Sequence, residues 1–149
     1  MAIMKDAAWA RHTSPWSVWT RFVGGSLLFV ALYNHLWWAL VGVGIFLIIN
    51  PFLFPEPESK ESWASQSVLG ERLWTQKWHW DFPMAISTLG GLFAVLALLV
   101  AYFQLFWPTV ILVALVLALK AFFLHLMVRL YDDQRRKHWE RQYGSEYRD

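Results

Sequence analysis

Four stretches of the chain, residues 16–33, 37–54, 83–106 and 108–131, are apolar enough to cross a lipid bilayer. A hydrocarbon core about 30 Å thick is spanned by about 20 mostly apolar residues in a helix. A helix also satisfies its own backbone N–H and C=O groups where no water can. The pattern therefore predicts an all-α membrane protein, with four transmembrane helices arranged as two antiparallel hairpins.

The charges predict how such a chain is threaded. The turns at Asn34, His35 and Leu36 and at Trp107 and Pro108 contain no Lys, Arg, Asp or Glu. Lys5, Arg11 and Arg21 sit in or near the N-terminal arm, Lys60, Arg72 and Lys77 in segment 55–82, and Arg129, Arg135, Arg136, Lys137, Arg141 and Arg148 at or beyond the end of the fourth span. Basic loops stay on the cytoplasmic side. The expectation is a multi-pass protein of a prokaryotic cytoplasmic (inner) membrane with both termini in the cytoplasm. The lipid bilayer is its first partner, and a homo-oligomer or a place in a larger membrane complex is expected.

With 57% hydrophobic residues among 149, the chain reads as one membrane domain, 1–149, without a separate soluble domain. A net charge of +2 gives no reason to expect nucleic acid. Without cysteine, disulfides, thiolate metal ligands and cysteine nucleophiles are excluded. About twenty polar and aromatic residues precede the first apolar run, so no cleavable signal peptide is expected. Trp16, Trp19, Trp37, Trp38 and Trp107 fall at span ends, where amphipathic rings anchor at the headgroups.

The joint at Asn34 carries neither Gly nor Pro. A single helix from Phe22 to Asn50 would nevertheless be about 43 Å long at 1.5 Å per residue, too long for one comfortable crossing. Two spans are expected, with a three-span chain as the alternative. Gly90, Ala94, Ala97 and Ala101 share one face of the third span, and Ala114, Ala118 and Ala121 one face of the fourth. Such stripes let membrane helices approach closely, so the two are expected to face each other. Gly24, Gly25, Gly42 and Gly44 suggest close packing in the first hairpin. Pro51, Pro55 and Pro57 forbid a continuing helix. Residues 62–78 read as an interfacial amphipathic helix with Trp63, Gly70, Trp74 and Trp78 on one face. The tail, 132–149, continues the fourth helix into the cytoplasm.

Lys120 is the one ionisable residue deep in a span, about 18 Å along the helix from Pro108. An intramembrane cation needs a partner, a water-filled site or a snorkelling path. Either it snorkels to the inner surface, or it faces an inner-leaflet cavity and holds an anionic or carbonyl group. His125, Arg129 and Asp132 follow i, i+4, i+7 and should share a face turned into the bundle. They read as a polar cap or as catalytic candidates, with His125 as base and Arg129 gripping a phosphate or carboxylate. His12, His79, Trp78 and Trp80 are ligand-binding candidates near the same membrane face. No cofactor is expected, since no HxxxH or HExxH spacing occurs. A metal or b-type haem held by His12, His79 and His125 is the minor alternative. His35, alone on the outer turn, reads as an interfacial residue.

Two blocks, Ala10-Arg-His-Thr-Ser-Pro-Trp-Ser-Val-Trp-Thr-Arg-Phe22 and Asn50-Pro-Phe-Leu-Phe-Pro55 followed by Trp63-Ala-Ser-Gln-Ser-Val-Leu-Gly-Glu71, give the chain its likeness. It resembles an uncharacterised family of small bacterial and archaeal integral membrane proteins. The similarity extends to Met127-Val-Arg-Leu-Tyr-Asp-Asp133 and so covers most of the chain. This resemblance implies no activity. Tyr143-Gly-Ser-Glu-Tyr147 is also similar to the terminal FGxEY element of isoprenylcysteine-type membrane methyltransferases, but their Arg-His-Pro element is missing.

The leading expectation is a non-catalytic bundle: an accessory or interaction subunit, or a protein that binds a hydrophobic ligand. The alternatives are a membrane-embedded enzyme acting on a lipid or isoprenoid at the cytoplasmic face, and a small-solute transporter.

Overall fold

The computed structural model describes residues 11–76 and 80–143. Among them are five helices and no strand: α1 (Pro15–Tyr33), α2 (Trp37–Leu53), α3 (Trp63–Thr75), α4 (Phe82–Tyr102) and α5 (Phe106–Tyr143). Lys5, Lys77, Trp78, His79, Arg148 and the Gly144–Tyr147 part of the methyltransferase-like element lie outside the described residues.

Local chemistry sets the helix starts. Pro15 opens α1, where a missing N–H costs nothing. Ser62 caps α3 by accepting from Ser65 N at 3.1 Å, and Asp81 caps α4 by accepting from Met84 N at 2.9 Å. Asp81 also accepts from Trp74 Nε1 at 3.0 Å, which ties the end of α3 to the start of α4.

The chain does break at Asn34, and it does so without glycine. His35 takes the left-handed conformation, φ 52°. Leu36 N then bonds Ala31 O at 2.8 Å and His35 N bonds Leu32 O at 3.0 Å, which closes the spare carbonyls of α1. Gln104, φ 56°, does the same for α4, with Leu105 N on Val100 O and Gln104 N on Ala101 O. A left-handed non-glycine residue costs about 1–2 kcal/mol, and each side chain offsets that with a bond to the other turn. His35 Nε2 donates to Tyr102 O at 2.9 Å, and Gln104 Nε2 donates to Tyr33 O at 3.0 Å. The two turns also share a pattern: Tyr33-Asn-His-Leu-Trp-Trp38 against Tyr102-Phe-Gln-Leu-Phe-Trp107. His35 is thus a clasp between helix pairs rather than a solitary interfacial residue.

α2 returns along α1 and α5 along α4, while α3 packs on α5. The core gathers Val18 of α1, Ala64 and Val68 of α3, and Phe123, Leu124 and Met127 of α5. Gly70 lies against the Met127 carbonyl, where no Cβ would fit. The segment expected to lie on the membrane surface is therefore folded into the bundle. Its Trp63–Gly70–Trp74 face is turned inward: Trp63 stacks on Trp19 at 6.0 Å and Trp74 meets Phe123 edge-on at 5.5 Å.

α4 and α5 are both long and apolar enough to cross a membrane, and no more than 17% of either apolar window is buried. Most of the residues in those windows are not buried inside the protein. α2 is equally apolar but shorter, at 17 residues. Ala97 and Ala101 of the expected small-residue seam are fully buried, and Gly90 sits close to Leu119 Cβ, 3.7 Å from where its own Cβ would lie. The answering stripe is not there. Ala114 and Ala118 are exposed and Ala121 is half-buried. At 3.6 residues per turn, Ala114, Ala118 and Ala121 lie nearly opposite Phe123 and Met127, and burying those two against α3 fixes the rotation of α5.

Candidate functional site

α1, α3 and α5 together line a half-open cavity of about 180 Å³. Its walls are apolar, with Phe22 and Phe29 from α1, Val68 from α3, and Leu117 and Leu124 from α5. Three charged side chains reach it: Arg21 from α1, Glu71 from α3 and Lys120 from α5. Gly25 completes the α1 wall, and a Cβ added there would meet nothing within 4 Å. A glycine costs a helix interior about 0.5–1 kcal/mol relative to alanine. At this position its lack of a side chain keeps the space open.

Arg21 is held by a buried polar network. Ser17, Thr20 and Arg21 share a face of α1, and α2 brings Asn50 against it with no exposed surface. Asn50 Oδ1 accepts from Ser17 Oγ at 2.8 Å and from Arg21 Nε at 3.1 Å. Asn50 Nδ2 donates to Thr20 Oγ1 at 2.7 Å, and that hydroxyl donates to Trp16 O at 2.6 Å. Every polar atom of the Asn50 amide is engaged, as a buried amide requires. Arg21 Nη2 lies against both ring nitrogens of His12, 3.0 Å from Nε2. Burial pushes the His12 imidazole down from 6.5 to about 3, and the charges of Arg21 and Lys120 push the same way. At neutral pH His12 is therefore an uncharged acceptor for Arg21 and no third cation. Behind it, Ser65 of α3 donates to Thr13 O at 2.8 Å, closing the N-terminal arm over α3.

Lys120 is placed differently. Its ammonium sits 5.0 Å from the centroid of Phe123, and among the described residues it makes no hydrogen bond or ion pair. Glu71 supplies a carboxylate on the same cavity wall, a charge that reading the spans alone leaves out. Arg21 and Glu71 interact through space without an ion-pair contact.

Of the residues singled out by sequence, the structure brings His12 and Lys120 together with Arg21. His125 and Arg129 are exposed on the α5 face opposite Met127, and Asp132 is half-exposed. They do not turn into the bundle, for the same rotational reason as Ala114 and Ala118. Trp80 is exposed, and Trp78 and His79 lie outside the described residues. Among the described residues no three His, Asp or Glu side chains gather around a common point. Arg21, Asn50 and Glu71 are the site residues that sequence reasoning missed. A signal existed: three polar residues at i, i+3, i+4 on a mostly apolar helix, and an asparagine in the last turn of another.

No curated protein and no solved structure matches the chain. A family profile, described as a family of unknown function (DUF6653), matches residues 2–144, nearly the whole chain, and the chain belongs to that family.

Proposed function

We propose that this chain is a four-span protein of the cytoplasmic membrane, with both termini and α3 on the cytoplasmic side, and that it is a non-catalytic bundle binding a hydrophobic molecule in the cavity between α1, α3 and α5. The placement of its basic residues supports the threading. One observation carries the function: an apolar cavity has the cations of Arg21 and Lys120 at its wall. Concave apolar sites with a few placed polar groups are the usual form of a ligand site. Arg21 is committed to Asn50 and His12, which suits holding a ligand better than turning one over. A second copy or another membrane subunit would find its closest approach at the exposed Ala114 and Ala118.

Native mass spectrometry of protein extracted in mild detergent tests the binding. Wild type should retain a lipid-sized adduct that Gly25→Leu, which fills the open space, loses while staying folded. Wild type that remains bare, even after exposure to a total lipid extract, would overturn the reading.

A further inference from the structure

The cavity has charge and size, and both narrow what it can hold. Arg21 and Lys120 are cations and Glu71 is an anion, so with His12 uncharged the wall carries one positive charge in excess. Lys120 is itself exposed, and within the proposed span such a cation needs a counter-charge; one excess cation calls for a monoanion. A phosphate monoester, carrying nearly two charges at neutral pH, would leave the wall negative. As for size, an apolar cavity of about 150 Å³ takes benzene, and sites that enclose a whole small molecule run to about 300–1,000 Å³. The 180 Å³ here fits a compact head and the first carbons of one chain. The remainder must leave through the open side. Apart from Arg21, Glu71 and Lys120 the cavity is lined by apolar residues and Gly25, among them Phe22, Phe29 and Leu117, a lining that suits an acyl chain.

Resting on the binding role proposed above, we infer that the cavity takes a single-chain amphiphile with a compact monoanionic head, a long-chain carboxylate, its oxygens held between Arg21 and Lys120. Lys120, which has no hydrogen-bond partner among the described residues, supplies the free donors. Arg21 is pre-oriented by Asn50 and contributes its field and its remaining N–H groups. Glu71 repels a second negative charge and thereby selects against dianionic heads.

The full chain in neutral-lipid nanodiscs tests this with four probes of equal acyl length: oleate, oleyl alcohol, oleoyl-lysophosphatidylglycerol and dioleoyl-phosphatidylglycerol. Oleate should bind about tenfold or more tighter than oleyl alcohol, as a charge-assisted contact is worth. Lys120→Met should erase that margin without weakening oleyl alcohol, Lys120→Arg should keep it, and Glu71→Gln should widen it. Gly25→Leu should weaken both single-chain probes with compact heads. Equal binding of oleate and oleyl alcohol, both lost in Gly25→Leu, would overturn the charge inference while the cavity stood as a hydrophobic-ligand site. Tightest binding of either phosphatidylglycerol would overturn the compact head or the single chain. No binding of any probe to wild type would take the binding role down with it.

Discussion

Arg21 enters an apolar helix at a position where its charge must be fed, and His12 does part of that by remaining neutral. The imidazole is held at about 3 against 6.5 in the unfolded chain. Between those values the unfolded state takes up a proton that the folded state refuses, so folding stability rises with pH in that window. The contribution is fully present above about 6.5 and is lost progressively as pH falls toward about 3. The slope from one such group is at most ~1.4 kcal/mol per pH unit. Thermal unfolding midpoints in detergent should therefore fall as the buffer is taken below pH 6.5. His12→Gln, which still offers Arg21 an acceptor but cannot titrate, should flatten that fall. An equal decline in His12→Gln would assign the acid sensitivity to carboxylates instead. Lys120 was legible in the sequence because a lone charge in an apolar run stands out. Arg21 was not, because near a span end it reads first as a topology signal. Its partner Asn50 lies 29 residues away, on a separate helix. Pairing across that distance is a tertiary fact.

At the scale of elements, α3 shows where reading a helix by itself falls short. The sequence puts Trp63, Gly70, Trp74 and Trp78 on one face of a helix over 62–78; the helix runs Trp63–Thr75 with Trp63, Gly70 and Trp74 turned inward, and Trp78 lies outside the described residues. Amphipathicity gives the direction of burial but does not say whether lipid or another helix covers it. Gly70 gives the answer, because only a backbone-to-backbone approach to Met127 explains what a Cβ there would strike. Gly42 provides the control, since a Cβ at that position meets nothing within 4 Å. Gly70→Ala should destabilise the fold by about 1–3 kcal/mol, the usual cost of overpacking, and so lower the unfolding midpoint. Gly42→Ala should leave the midpoint level or raise it slightly through helix propensity. Equal effects from the two would mean that α3 rests on lipid after all. The rotation of α5 belongs to the same lesson. Once Phe123 and Met127 turn toward α3, Ala114, Ala118, His125 and Arg129 have to face outward, and no stripe in one helix reveals which of its faces the neighbours claim.

For the whole molecule, the segments that carry its resemblance, 10–22, 50–55, 63–71 and 127–133, meet at one end of the bundle. Ser17, Thr20 and Arg21 come from the first and Asn50 from the second. Trp63, Val68, Gly70 and Glu71 come from the third, and Met127 from the fourth. The clasp of His35 and Gln104 occupies the other end, with no Lys, Arg, Asp or Glu in either turn. A chain polarised in this way, apolar on its flanks, has its charged end where the proposed threading puts the cytoplasm. The native sequence has no cysteine, so single thiols report position without background. In spheroplasts, a membrane-impermeant maleimide should label Asn34→Cys in the outer turn and leave Lys60→Cys, between α2 and α3, unlabelled until the cells are lysed. Both side chains are exposed, so a difference between them measures which side of the membrane each occupies rather than burial. Labelling of both from outside would place the two ends of α2 on one face. In that case the bundle would be held by α4 and α5 alone, and the cavity beside Arg21 would open to water instead of to an acyl chain.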